Sequence, residues 1–316
     1  AVGKDALAAN TTGTQNVGIG AKSLQTNTTG TDNTAVGYLA LDKNTTASYN
    51  TAMGWESLRN TATGAANTAM GRAAMGTNTT GANNSAVGYG ALNANTTGAD
   101  NVAIGYNALD ANTTQSNNIA VGVNALGANV AGTQNVAIGT NALLVNNSNY
   151  NTAIGYTVLA SNTTAASNTG LGYQALNANT TGTSNTAVGQ DALLTNTTAS
   201  DNVAVGRHSL QLNTTGASNT AVGVAALYAN TTAANNTALG ASSLGANTTG
   251  ATNTAVGYEA MNANTTGGYN VGIGKDALRA NTTASGNVAV GVDSLTTNTT
   301  GASNTGVGTA SLKDNM

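Results

Sequence analysis

The sequence predicts an all-β protein, a parallel β-solenoid (β-roll) of about 18 coils with 17-residue turns. Three observations carry that expectation. A glycine recurs every 17 residues at Gly3, Gly20, Gly37, Gly54, Gly71, Gly88, Gly105, Gly122 and Gly139, and after one 16-residue step at Gly155 and onward to Gly308. Four residues after each of these glycines stands a leucine or methionine, as at Leu7, Met75, Leu92, Met261 and Leu312. Thirteen residues after them, in every full-length turn, stands an asparagine. A fixed period with a single lapse means one structural unit stacked on copies of itself, so length alone does not divide the chain. Residues 1–316 read as one continuous repeat domain.

Each turn can be numbered from its glycine as turn position 0, with Gly88 to Gly105 as a representative copy. Position 14 is mostly β-branched, position 15 is Ala or Gly, and position 16 is Val, Ile, Leu or Met. That alternation has the period of a strand, and no window has a helical period. Two short strands joined by Gly and Asn corners would make one coil. Coils stacked at ~4.8 Å would form a rod about 85 to 90 Å long. The position-0 glycine suits a corner with positive φ or a close backbone approach. The position-13 asparagines (Asn16, Asn33, Asn101, Asn135, Asn202 and Asn304 among them) suit a hydrogen-bonded ladder along the stack. Position 7 is also Asn, with Thr61 the departure. The 16-residue turn reads Asn146-Asn147-Ser148-Asn149-Tyr150 where others have a Thr-Thr-Gly corner, which places its deletion in a loop.

The aliphatic residues at positions 4 and 16, helped by position 14, read as the core of the coil. Positions 3 and 15 then point the other way, yet position 3 is Ala or Ser (Val158 excepted) and position 15 is Ala or Gly. An exposed face has no reason to forbid large polar residues, whereas a closely packed one does. The row Ala35, Ala52, Ala69, Ala86, Ala103, Ala120, Ala137, Ala187, Ala204 and Ala221 is therefore expected to be an inter-chain face. A parallel homotrimer is the simplest closed arrangement, with a dimer or bundle as rivals.

Composition narrows the function classes. Charged residues make up 7% of the chain, the net charge is −3, and no charge at all lies between Asp110 and Asp191. Nucleic acid needs clustered Lys and Arg, so none is expected as a partner. No apolar run approaches the ~20 residues of a spanning helix, so no membrane insertion is expected. With no Cys there are no disulfides or thiolate metal sites. The turns lack the acidic pattern of calcium-binding β-rolls, and no cofactor or metal is expected. His208 is the sole histidine, beside Arg207, with no positioned base and orienter around it, so no enzyme is expected. Asp5, Glu56, Asp191, Glu259, Asp276 and Asp293 share turn position 2 and read as a solvated face; Asp276 and Asp293 are adjacent in the stack and placed to share a cation weakly.

Three rows are candidate surfaces. Position 1 carries Tyr38, Trp55, Tyr89, Tyr106, Tyr156, Tyr173 and Tyr258, either stacking on glycan or receptor faces or packing against a neighbouring chain. Asn-Thr-Thr corners make Asn10, Asn27, Asn95, Asn179, Asn247 and Asn298 candidate glycosylation sites, with corner geometry as the alternative. The threonine rows raise ice binding as a minor alternative, although the threonines are consecutive in a corner and not alternating on a flat strand.

The segment N-[TV]-A-[VI]-G-x-x-[AS]-L, seen at Asn101-Val102-Ala103-Ile104-Gly105 and Asn135-Val136-Ala137-Ile138-Gly139, resembles the head repeats of trimeric autotransporter adhesins. The fuller pattern N-T-T-G-x-x-N-T-A-V-G-Y-x-A-L resembles more closely the repeats of phage tail-fibre-like proteins, which often end in a self-cleaving chaperone domain of endosialidase type. The resemblance implies a left-handed roll and a trimer. The adhesin-head turns are shorter, so the N-T-T corner is additional here. Together these readings lead to a non-enzymatic structural fibre or adhesin shaft, located outside the cell, on its surface or on a virion appendage. Its partners would be further copies of itself and a host-surface glycan or receptor. The alternative is a filament subunit. Ala1 begins at turn position 15 and Met316 stops at position 8, so head-to-tail docking of uncapped ends would nearly complete a coil.

Overall fold

The computed structural model describes residues 1–313, and its contacts group the chain into two compact units, Ala1–Tyr156 and Thr157–Met316. The first contains strands β1 (Val17–Ile19), β2 (Thr34–Val36), β3 (Thr51–Met53), β4 (Thr68–Met70), β5 (Ser85–Val87), β6 (Val102–Ile104), β7 (Ile119–Val121), β8 (Val136–Ile138) and β9 (Thr152–Ile154). The second contains β10 (Thr169–Leu171), β11 (Thr186–Val188), β12 (Val203–Val205), β13 (Thr220–Val222), β14 (Thr237–Leu239), β15 (Thr254–Val256), β16 (Val271–Ile273), β17 (Val288–Val290) and β18 (Thr305–Val307). Within each unit every strand pairs in parallel with the next, at a register of one turn: Ala103 lies against Ala120, and Ala187 against Ala204. Each unit is thus a parallel β-solenoid, with no helix among the described residues.

Backbone hydrogen bonds tie each turn to both neighbours. In the representative turn Val102 N–H donates to Asn118 O of the following turn at 2.9 Å, and Gly105 N–H donates to Val87 O of the preceding one at 2.8 Å. Leu92 N–H donates forward to Ala108 O, and Asn107 N–H donates back to Tyr89 O. Only one of the two strands expected per coil is present. The remainder of the turn keeps its ladder of bonds without an extended backbone, because positions 2, 4 and 12 have positive φ. Glu56, Leu58 and Ala66, for example, have φ of 56°, 47° and 56°. A left-handed leucine costs about 1–2 kcal/mol. Burial of the Leu58 side chain, which is fully enclosed, offsets that cost.

The corner glycine is dictated by its neighbours. Gly88 has φ of 131°, and a Cβ on it would lie 2.4 Å from the carbonyl oxygen of Gly105 one turn on. Backbone fills the place of a side chain there, so no other residue fits.

The interior is assigned differently from the sequence expectation. Position 4 is core as expected. Position 15 also faces inward: Ala35, Ala52, Ala69, Ala86, Ala103, Ala120, Ala137, Ala187, Ala204 and Ala221 are completely buried within a single chain. They cannot form the inter-chain face assigned to them. Position 16, expected in the core, faces outward, with Ile104 42% and Leu171 44% exposed. The reason is the width of the coil. One leucine at position 4 fills it, and the strand residue opposite has room only for a methyl group or a hydrogen. A Cβ on Gly18 would sit 3.3 Å from Leu7 Cγ, and one on Gly272 would sit 3.2 Å from Met261 Cγ.

The exceptions compensate. Val158 is the one branched residue at position 3, and the strand of the same turn carries Gly170 in place of alanine. A Cβ on Gly170 would meet Val158 Cγ1 at 2.4 Å. The 16-residue turn loses its residue in the corner. Asn146 Nδ2 donates to Ser148 O, two residues on, where Asn95 reaches Gly98 O three residues on. The strand register survives, with Val136 against Thr152.

The Val158–Gly170 pair can be tested directly. Gly170→Ala should destabilise the protein by about 1–3 kcal/mol through overpacking. Adding Val158→Ala should restore most of that loss, because the double variant recreates the Ala–Ala arrangement of turns such as Ala91 with Ala103. Urea unfolding of the single and double variants measures the coupling, and additive effects would contradict it.

Candidate functional site

Two asparagine ladders run inside each unit. Along the position-13 ladder, Asn101 N–H donates to Asn84 Oδ1 at 3.0 Å and Asn118 N–H to Asn101 Oδ1 at 3.0 Å. Asn16, Asn33, Asn135, Asn202 and Asn304 take the same part, as in Asn33 to Asn16, Asn135 to Asn118, Asn202 to Asn185 and Asn304 to Asn287. Along the position-7 ladder, Asn95 Nδ2 donates to Asn78 Oδ1 at 2.9 Å, and Asn112 Nδ2 to Asn95 Oδ1 at 3.2 Å. The ladders meet on one atom per turn. Gly98 O accepts from Asn95 Nδ2 at 3.0 Å and from Asn84 Nδ2 at 2.9 Å. A carbonyl oxygen has two lone pairs, and both are used.

That arrangement corrects the glycosylation expectation. Asn27, Asn95, Asn179, Asn247 and Asn298 are fully buried, and Asn10 at the first turn is half-buried with its Nδ2 on Gly13 O at 2.9 Å. The nitrogen that a glycan would occupy is already a donor within the fold. The threonine after Asn10, Asn27, Asn95, Asn179 and Asn247 has a structural partner too. Thr96 Oγ1 donates to Thr113 O of the next turn at 3.0 Å. Asn-Thr is therefore the composition of a hydrogen-bonded corner.

The seven position-1 aromatics are all on the surface, 41% to 52% exposed. The structure brings three of them into one continuous row in the first unit, with a member that aromatic counting missed. Arg72 stands at turn position 1 between Trp55 and Tyr89. Its guanidinium carbon lies 4.4 Å from the Trp55 ring centre and 5.4 Å from that of Tyr89. Tyr89 in turn stacks on Tyr106, with centroids 5.4 Å apart and planes 11° from parallel. Both faces of Tyr89 are covered by row neighbours, so its exposed part is the rim. Stacking a sugar on that face is not available. The signal in the sequence was the turn position, which Arg72 shares, and not the residue type. Tyr258 has no aromatic one turn away, where Ala241 and Lys275 stand. A hydrogen bond to Glu259, together with that carboxylate's charge, raises the Tyr258 phenol above its usual pKa.

Several charges on the outer face are paired locally. Arg59 holds Glu56 at 2.7 Å, and Arg279 Nε lies 3.0 Å from Glu259 and 3.8 Å from Asp276, which Lys275 also approaches at 3.4 Å. Asp276, placed by the sequence to share a cation with Asp293, has protein cations beside it instead. His208 Nδ1 lies 3.6 Å from Asp191 of the preceding turn. Glycine at turn position 5 leaves shallow notches. Gly245, between Tyr228 and Asn262, opens an uncharged one of about 400 Å³, and Gly76, between Arg59 and Asn93, opens a smaller one lined by the Glu56–Arg59 pair. No group of three or more His, Asp or Glu side chains among the described residues is arranged to hold a metal, and no helix among them is long and apolar enough to cross a membrane.

The third surface is the outer side of the strands. Position 16 is Val, Ile, Leu or Met and position 14 is Thr, Val, Ile or Ser in every strand, so this face carries no charge along either unit. No known protein family matches the chain, and neither does any curated protein.

The position-7 ladder contains its own control at Thr61, whose Oγ1 accepts from Asn78 Nδ2 at 3.3 Å. Asn95→Thr should therefore cost less than Asn95→Ala, which leaves buried polar neighbours unpartnered at about 1–3 kcal/mol. Chemical denaturation midpoints rank the two, and equal losses would show that the hydroxyl does not substitute in the ladder.

Proposed function

We propose that the chain is a non-enzymatic structural fibre or adhesin shaft acting outside the cell, assembled as a parallel homotrimer through the outer face of its strands. The observation that carries this reading is the uncharged aliphatic row at position 16. Exposed apolar patches of that extent on soluble proteins mark interaction surfaces. The row is Ile104, Val121 and Ile138 in one stretch, and it repeats at the strand spacing of ~4.8 Å. A partner that matches such a row along its length must carry the same repeat, and a second copy of this chain does. This moves the interface from the Ala row to its opposite side. The stacked asparagine and threonine ladders suit a passive load-bearing role, since they join buried polar groups of successive turns in a hydrogen-bonded lattice.

Sedimentation of the purified chain over a concentration series tests the assembly. The expected result is a species of about three chains that persists on dilution. The Ile104→Asp/Ile138→Asp pair should release monomers with an unchanged far-ultraviolet spectrum, since both side chains are already outside. A wild-type monomer at all concentrations would overturn the trimer, and open-ended growth would favour the head-to-tail filament. The Met316 end on which that filament docking was drawn lies outside the described residues.

A further inference from the structure

We propose that the Trp55–Arg72–Tyr89–Tyr106 row in the first unit is a binding site for a carboxylated sugar in an acidic oligosaccharide. Arg72 is exposed and takes part in no ion pair among the described residues. Its neighbours in the row are aromatic faces, 4.4 Å and 5.4 Å from the guanidinium carbon. Such a sandwich satisfies the cation's flat faces and leaves its N–H edge directed at solvent. A guanidinium edge is a two-point donor that matches a carboxylate. The rings hold it in place beforehand, so little side-chain entropy is lost when an anion arrives.

The rest of the row points to a sugar. Tyr89 is covered on both faces and 47% exposed, and Tyr106, 52% exposed, stacks behind it. What Tyr89 shows is its rim, which carries the phenol O–H, and Tyr106 adds a second phenol beside it. The row therefore offers one full charge followed by neutral hydroxyls, flanked by the exposed aliphatic residues Met70, Val87 and Ile104 and by Glu56, whose charge is paired with Arg59. A dense polyanion such as nucleic acid needs several cations in a line and would be repelled by a chain of net charge −3. A ligand with one carboxylate and many hydroxyls is the better complement.

The chain supplies its own reporter, because Trp55 is the only tryptophan. The full chain is titrated with aldotriouronate (a trisaccharide with a single carboxylate), maltotriose and sodium acetate while Trp55 emission is followed. A saturable change with aldotriouronate, at concentrations where the other two give none, is the expected result. Calorimetry on Arg72→Gln should then show binding weakened by about tenfold or more, the loss expected of one charge-assisted bidentate contact. Tyr106→Phe should weaken it less. No saturable response, or an unchanged affinity in R72Q, overturns the site. An equal response to acetate overturns the sugar, and an equal response to maltotriose overturns the charge requirement. Sedimentation of the same samples separates this result from the assembly: a trimer that fails to bind overturns only the site, and a monomer that binds overturns only the trimer.

Discussion

The width of a single coil governs the molecule. With the turn closing over one leucine, everything else inside has to be small, flat or part of the backbone. The facing strand residue becomes Ala or Gly, position 3 becomes Ala or Ser, and the corner becomes glycine because the carbonyl of the next turn stands where its side chain would be. The remaining interior is lined by asparagine amides, which are planar and can stack at the strand spacing while bonding upward, downward and to the corner. A wider coil would need a larger apolar core, and this sequence does not carry one.

The same constraint explains why large aliphatic residues face outward. Strand alternation forces a choice between position 15 and the pair 14 and 16. The narrow interior accepts only the methyl, so Val, Ile, Leu and Met at position 16 are turned out to a surface that contains no charge. In ordinary globular proteins the large apolar set marks the inside. In a coil this thin it marks the outside.

The repeat, the all-β class, the parallel one-turn register and the buried leucine were legible in the spacing of glycine, leucine and asparagine. The asparagine ladder at position 13 was legible too, because an invariant polar residue at fixed period has few other uses. What misled was the assumption that bigger apolar residues lie deeper. It reversed the roles of Ala103 and Ile104, and so assigned as an inter-chain face a row that is buried within a single chain. The second strand was not legible as absent, since positive φ at Leu58 contradicts every local preference of leucine and arises only from the stack around it. The sequons at Asn95 and its equivalents looked like surface chemistry because their motif is defined by residue type, while their burial is set by turn geometry. The Arg72 row was hidden for the converse reason: residue type separated it from the aromatics, while turn position joined it to them.

Because the hydrogen bonds of a turn reach only its immediate neighbours, the outward residues of one turn carry no obligations to distant ones. Position 1 lies outside the coil, next to an obligatory glycine, and it accepts Tyr, Trp, Arg, Val, Gln or Ala with the same backbone beneath. The Trp55–Arg72–Tyr89–Tyr106 row is therefore portable. Writing the same four residues at position 1 of any four consecutive turns would print an identical patch elsewhere along a unit, and the scaffold serves as a ruled surface on which patterns are set by spelling alone.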